Sequence, residues 1–225
     1  MSELGEIRRG TWPKVLLGLA CSGLCAGAWG ATLNVLISDR NGDPVAEVVV
    51  HATPLGAPPP RELPLKPLVM SQNHERFSPH VLVAQTGAAV SFPNEDTVSH
   101  HVYSFSKPKA FELPLYKGTA YPPVVFDQPG IVDIGCNIHD RMEAHIVVVD
   151  TPYFTLTGTD GHVKLENLPP GEYIVGLYTP RLRSLPAATR ITLSDVVETV
   201  LPIRFEERLR PAHEAQSGSL SWSHY

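Results

Sequence analysis

The chain has 225 residues, 43% hydrophobic and 18% charged, which excludes wholesale disorder and allows one large domain or two small ones. Lys plus Arg number 18 against 23 for Asp plus Glu, a net charge of −5 that argues against a nucleic-acid binder. Three cysteines, Cys21, Cys25 and Cys136, are too few for a disulfide-stapled scaffold or a four-cysteine zinc site.

The elements follow in chain order. Arg8, Arg9 and Lys14 precede an apolar run, 15–28, of secretory length, with small residues at Ala28 and Gly30. Residues 1–30 are therefore expected to be a signal peptide, cut after Gly30 or two residues earlier. A retained membrane anchor is the competing reading of the same run. Removing this segment leaves Cys136 as the last thiol and no later stretch long enough to span a bilayer. Residues 33–37 and 45–52 are β-branched runs joined by Asp39-Arg40-Asn41-Gly42-Asp43-Pro44, turn chemistry that predicts a hairpin. Residues 54–67 hold six prolines and read as an irregular link.

Short strands at regular spacing come next, at 81–84, 88–92, 101–105, 124–126, 131–134 and 144–149. After Thr151-Pro152 a second β-rich stretch covers 154–156, 162–165, 172–177, 191–193 and 196–203, and the polar residues 206–225 read as a mobile tail. No helical stripe of useful length appears, and 22 Pro and 17 Gly punctuate the runs, so the fold class is all-β.

The chemistry gathers around Cys136. Within seven residues, Cys136, His139 and Met142 offer a thiolate, an imidazole and a thioether. Thiolate and thioether donors suit copper, and a second imidazole would complete the His₂Cys set with a weak axial Met of an electron-transfer site. The loop Asn94-Glu95-Asp96-Thr97-Val98-Ser99-His100-His101 supplies an adjacent pair, either member of which could close it. Singly, each of these residues is more often structural than a ligand; their conjunction favours metal. His145 reads as a surface residue on a strand. No nucleophile elbow, zinc-hydrolase motif or His-x-His pair is present, so no catalytic constellation is expected.

The pattern Phe126, Pro129-Gly130, Cys136-x-x-His139-x-x-Met142 and a β-branched final strand resembles the cupredoxins, the small blue copper proteins. The ligand loop looks like that of amicyanin, and Asn-x-Asp-x-x-x-His-His-Val-Tyr-Ser-Phe resembles proteins labelled methylamine utilisation proteins. The resemblance implies a Greek-key β-sandwich over 67–150 and one type 1 copper held by His100, Cys136, His139 and Met142. It selects His100 over His101 and gives Asn94 the role of restraining the thiolate loop. Ser99, His101 and Ile138 depart from the family pattern. It further implies an exported, periplasmic carrier of single electrons, with a partner such as a c-type cytochrome or a periplasmic dehydrogenase. A copper store, and a structural or ligand-binding sandwich with an idle copper site, are the alternatives.

The stretch Thr159-Asp160-Gly161 through Leu168-Pro169-Pro170-Gly171-Glu172-Tyr173 resembles the regulatory-like β-sandwich of carboxypeptidases. The opening strands of that module match residues far upstream. Residues 31–66 and 151–205 are therefore expected to form one small second sandwich with the copper domain inserted between its strands.

Overall fold

The computed structural model describes residues 30–56, 66–194 and 198–211; the expected signal peptide, apart from Gly30, and the tail beyond 211 lie outside them. No helix occurs among the described residues, and none is long and apolar enough to cross a membrane. In chain order the strands are β1 (Ala31–Ser38), β2 (Val49–Pro54), β3 (Leu68–Val69), β4 (Ser71–Gln72), β5 (Phe77–Ser78), β6 (Val81–Gln85), β7 (Ala88–Ser91), β8 (His100–Ser104) and β9 (Phe111–Tyr116). They continue as β10 (Val124–Phe126), β11 (Gly130–Cys136), β12 (Glu143–Val149), β13 (Phe154–Leu156), β14 (His162–Leu168), β15 (Gly171–Tyr178), β16 (Thr189–Leu193) and β17 (Thr199–Arg204).

One sandwich sets the five-stranded sheet β6-β12-β11-β8-β9 against the short sheet β10-β7-β3. Its core holds Val102, Val132, Ile134, Ala144, Ile146 and Val148 from the first sheet, with Val90 and Phe126 from the second. The other sandwich sets β14-β1-β17 against β13-β2-β15-β16. Leu33, Val35 and Ile37 of β1 meet Val50 and Ala52 of β2 and Tyr173 and Val175 of β15 across that core.

The strands over 33–37 and 45–52 do not form the expected hairpin. β1 pairs with β14 and β17, while β2 pairs with β13 and β15, so the turn between them is an arch from one sheet to the other. Both strands turn an apolar face into one core, and facing strands on opposite sides bury more than a two-stranded ribbon does. The arch keeps hairpin-like chemistry: Asp39 accepts the backbone N–H groups of Asn41 (2.8 Å) and Asp43 (3.0 Å). Gly161, at φ +66, seats the β13–β14 turn on this arch, where an added Cβ would lie 2.4 Å from the Ile37 carbonyl oxygen.

Alternation lets two strands serve two cores each. Along β12, Ala144, Ile146 and Val148 face the first core, while Val147 and Val149 join Val49, Val81 and Tyr178 in a third cluster between the sandwiches. In the same way β2 sends Val50 to the second core and Val49 to the junction. A strand covered on both faces reads as an unbroken apolar run, as the segment 146–149 does.

Two outcomes test this architecture. Gly161→Ala will lower the unfolding free energy by roughly 2–4 kcal/mol, read by denaturant titration, because it adds both a left-handed backbone cost and a clash with the backbone. A protease site built into 57–65 and cut under native conditions will leave 30–56 eluting with the rest of the chain; separation of the fragment would contradict the pairing of β1 with β14 and β17.

Candidate metal centre

Strand parity decides which residues of β8 reach the interior. His100, Val102 and Ser104 point inward and are buried, with His100 fully so; His101 and Tyr103 lie on the opposite face. His101 instead lies edge-on to Tyr103, ring centroids 6.3 Å apart. β11 ends at Cys136, which pairs with Val102 across the ladder and is 5% exposed. The chain then turns tightly to β12: the Met142 N–H donates to the His139 carbonyl (3.0 Å) and the Cys136 N–H to the Met142 carbonyl (3.1 Å).

This folding brings three donor atoms together. His100 Nδ1 and His139 Nδ1 are 3.2 Å apart, and Cys136 Sγ lies 3.7 Å from the first and 3.6 Å from the second. A point equidistant from the three sits roughly 2 Å from each, the length of a metal–imidazole bond. Among the described residues these three form the only such His/Cys/Asp/Glu group. Met142 is 2% exposed and belongs to the same buried cluster as Cys136. Two imidazoles, one thiol and a buried thioether match the donor set of copper better than that of zinc.

The supporting contacts differ from the expected ones. Asn94 restrains the loop before His100 rather than the thiolate loop. Its side-chain amide donates to the carbonyls of Val98 (2.9 Å) and Tyr116 (2.8 Å), and its oxygen accepts from the Asp96 N–H (2.9 Å). The tether between the two ligand loops is a backbone bond, Asn137 N–H to the His101 carbonyl at 3.1 Å. Beneath them, Tyr116 donates to the Phe92 carbonyl and accepts from Gln72 Nε2, and burial pushes its hydroxyl up to about 12.

Asp96 is the residue the motif reading missed. Its carboxylate lies 2.8 Å from His100 Nε2 and accepts the N–H groups of His74 (2.6 Å) and Glu75 (2.9 Å). Burial alone would raise this carboxyl, but the donors of Glu75, His100 and His74 outweigh it and hold it below the usual carboxylate range. A proton held on Nε2 by Asp96 leaves the Nδ1 lone pair aimed at Cys136 and His139, the arrangement in which a carboxylate orients a metal-binding imidazole. A fully buried histidine needs such a partner, and an acid four residues upstream was the available signal.

His139 sits differently, with its side chain 24% exposed and Nε2 3.9 Å from the Glu75 carboxylate. Its loop also borders an open groove of about 1440 Å³ between the sandwiches, lined by Tyr103, Phe105, Asp133 and, from the second sandwich, Arg181 and Arg183. His145 lies in the wall of that groove, 2.8 Å from Asp133 and edge-on to His80, and takes no part in the donor cluster.

Asp96→Asn will weaken metal binding by roughly 10–100-fold in competition titrations, with the protein still folded, because the amide no longer fixes the His100 tautomer. Unchanged affinity would show that Asp96 does not orient His100.

No family model matches the chain, and no curated protein does. Similar solved structures include the Cu-containing nitrite reductase (NirK) from Thermus scotoductus SA-01, at 25% identity over 43% of this chain and TM-score 0.36. The likeness spans 25% of that reductase's length. A mutant of amicyanin, in a reduced Cu(I) form, is similar at 21% identity over 44% of this chain and 99% of its own, TM-score 0.35. A novel purple cupredoxin from Nitrosopumilus maritimus is similar at 21% identity over 36% of this chain and 96% of its own, TM-score 0.32.

Proposed function

We propose that this chain is an exported type 1 copper protein of the cupredoxin kind that carries single electrons between redox partners. The observation that supports it most is the convergence of His100 Nδ1, His139 Nδ1 and Cys136 Sγ to 3.2–3.7 Å of one another, beside a buried Met142. One copper held there supplies reversible Cu(II)/Cu(I) chemistry.

The residues divide the remaining work. Cys136 and Met142 are locked to each other through the backbone bond at the neck of their loop, so thiol and thioether keep their places. His100, sealed from solvent and oriented by Asp96, anchors the inner side. His139 alone reaches the surface and provides the edge through which an electron enters or leaves. A rigid donor set favours electron transfer because little has to move when the charge on the metal changes.

The basic and apolar N-terminal segment supports export, and a soluble redox protein, such as a c-type cytochrome or a periplasmic dehydrogenase, fits the partner's role. A copper store is less well supported, since only three Met occur in the chain and no Met-rich tract can relay the ion. Among the described residues the second sandwich holds no His/Cys/Asp/Glu donor group, which supports a role as spacer or binding unit.

Adding Cu(II) to the purified protein will give intense visible colour with one copper per chain, and Cys136→Ser will abolish the colour. Voltammetry will be fast and reversible, without transfer of metal to a Cu(I) chelator. A colourless protein that binds no copper would overturn the reading, and ready loss of Cu(I) to the chelator would favour the store.

A further inference from the structure

The hairpin of β4 and β5 turns through Asn73–Arg76, and those two residues exchange both backbone hydrogen bonds (2.9 and 3.2 Å). Its central residues, His74 and Glu75, sit at φ 54° and 55°. This is the mirror-image two-residue turn that sequences normally fill with Asn-Gly, because left-handed backbone is unfavourable for residues with a Cβ. Asp96 offsets that cost by accepting both central N–H groups with the carboxylate that also holds His100. The turn is thereby fixed to the donor cluster with two full-sized side chains at its tip, where a simple reversal would take glycine.

One of those side chains faces the exposed imidazole. Glu75 Oε1 lies 3.9 Å from His139 Nε2, and the Glu75 side chain is 61% exposed. The separation is too long for a hydrogen bond, so the Nε2 edge stays open to an incoming molecule while a carboxylate stands beside it. Asp96, by contrast, has its charge engaged by three donors and is 11% exposed. On its own loop His139 is followed by Asp140 and Arg141, both exposed and opposite in charge so that they offset each other, and preceded by Ile138, 48% exposed. Glu75 is the carboxylate that stands against the Nε2 edge itself, and a charge at the point where two redox groups would meet selects partners by sign.

We propose that Glu75 is a specificity-determining residue of the His139 edge: it admits a redox partner that presents positive charge around its own redox group and disfavours an anionic one. The redox part of this inference rests on the copper reading above; the charge selection does not.

The test therefore begins on the metal-free full chain, labelled for NMR and titrated with hexaamminecobalt(III), an inert trication. Amide shifts will centre on Glu75, Ile138, His139 and Asp140, and Glu75→Gln will weaken the binding by roughly three- to tenfold. Glu75→Gly, which suits the left-handed turn, will keep or raise the unfolding midpoint and lose binding to the same extent, which separates charge from fold. On the copper-loaded protein, Glu75→Lys will lower the ratio of electron-exchange rates with hexaammineruthenium over hexacyanoferrate by about tenfold or more. Shifts that map elsewhere, that survive Glu75→Gln, or a rate ratio unmoved by Glu75→Lys would each overturn the proposal. If the trication binds at Glu75 while the chain takes up no copper, the copper reading fails and the charge selection stands.

Discussion

A buried imidazole has two nitrogens to satisfy, and leaving one without a partner costs about 1–3 kcal/mol. His100 is fully buried, and the way its two nitrogens are served organises the whole site. Asp96 takes Nε2, so Nδ1 is free to look across the cavity at Cys136 and His139. The same carboxylate holds the tip of the β4–β5 hairpin through two backbone N–H groups. One acid therefore ties the β4–β5 hairpin to the segment that carries His100. Asn94, bonded to the Val98 and Tyr116 carbonyls, stiffens the loop that presents it.

The all-β class was legible from composition and punctuation, because short β-branched runs between Pro and Gly have few other readings. Three soft side chains within seven positions is likewise a local pattern, and two of them, Cys136 and His139, come together with His100 in the structure. Spacing left His100 and His101 open, yet the parity of Val102 and the cross-strand geometry of β8 separate them in the structure. Asp96 was visible in the loop, but its role depends on a hairpin twenty residues upstream that no short motif predicts. The arch between β1 and β2 was misread because Asn41-Gly42 followed by Asp43-Pro44 suits any tight reversal. Whether the strands that follow pair or face each other is settled by partners more than a hundred residues away. β9 escaped notice because Pro114 interrupts its pattern; it is an edge strand, where a proline is tolerated.

The double use of β12 and β2 binds the two sandwiches into one body. Val147 and Val149 meet Val49 and Tyr178 at the junction, while their alternate neighbours fill separate cores. That junction sets the second sandwich beside the Cys136 loop, so Arg181 and Arg183 form the far wall of a groove whose near wall is the donor loop itself. The second module thus shapes the approach to the donor loop from the groove side, where His139 and Asp140 share a lining with Arg181 and Arg183.

The position of β1 carries a kinetic consequence. It is the middle strand of its sheet, with β14 on one side and β17 on the other, so it has no neighbour until the far end of the chain arrives. The inner sandwich can form from contacts nearer in sequence, and in folding it draws residues 66 and 150 toward each other, prepaying much of the loop-closure entropy for the outer one. Anything that stabilises the inner sandwich, an ion in the donor cluster included, then hastens closure of the outer: the inserted domain acts as a clasp for its host.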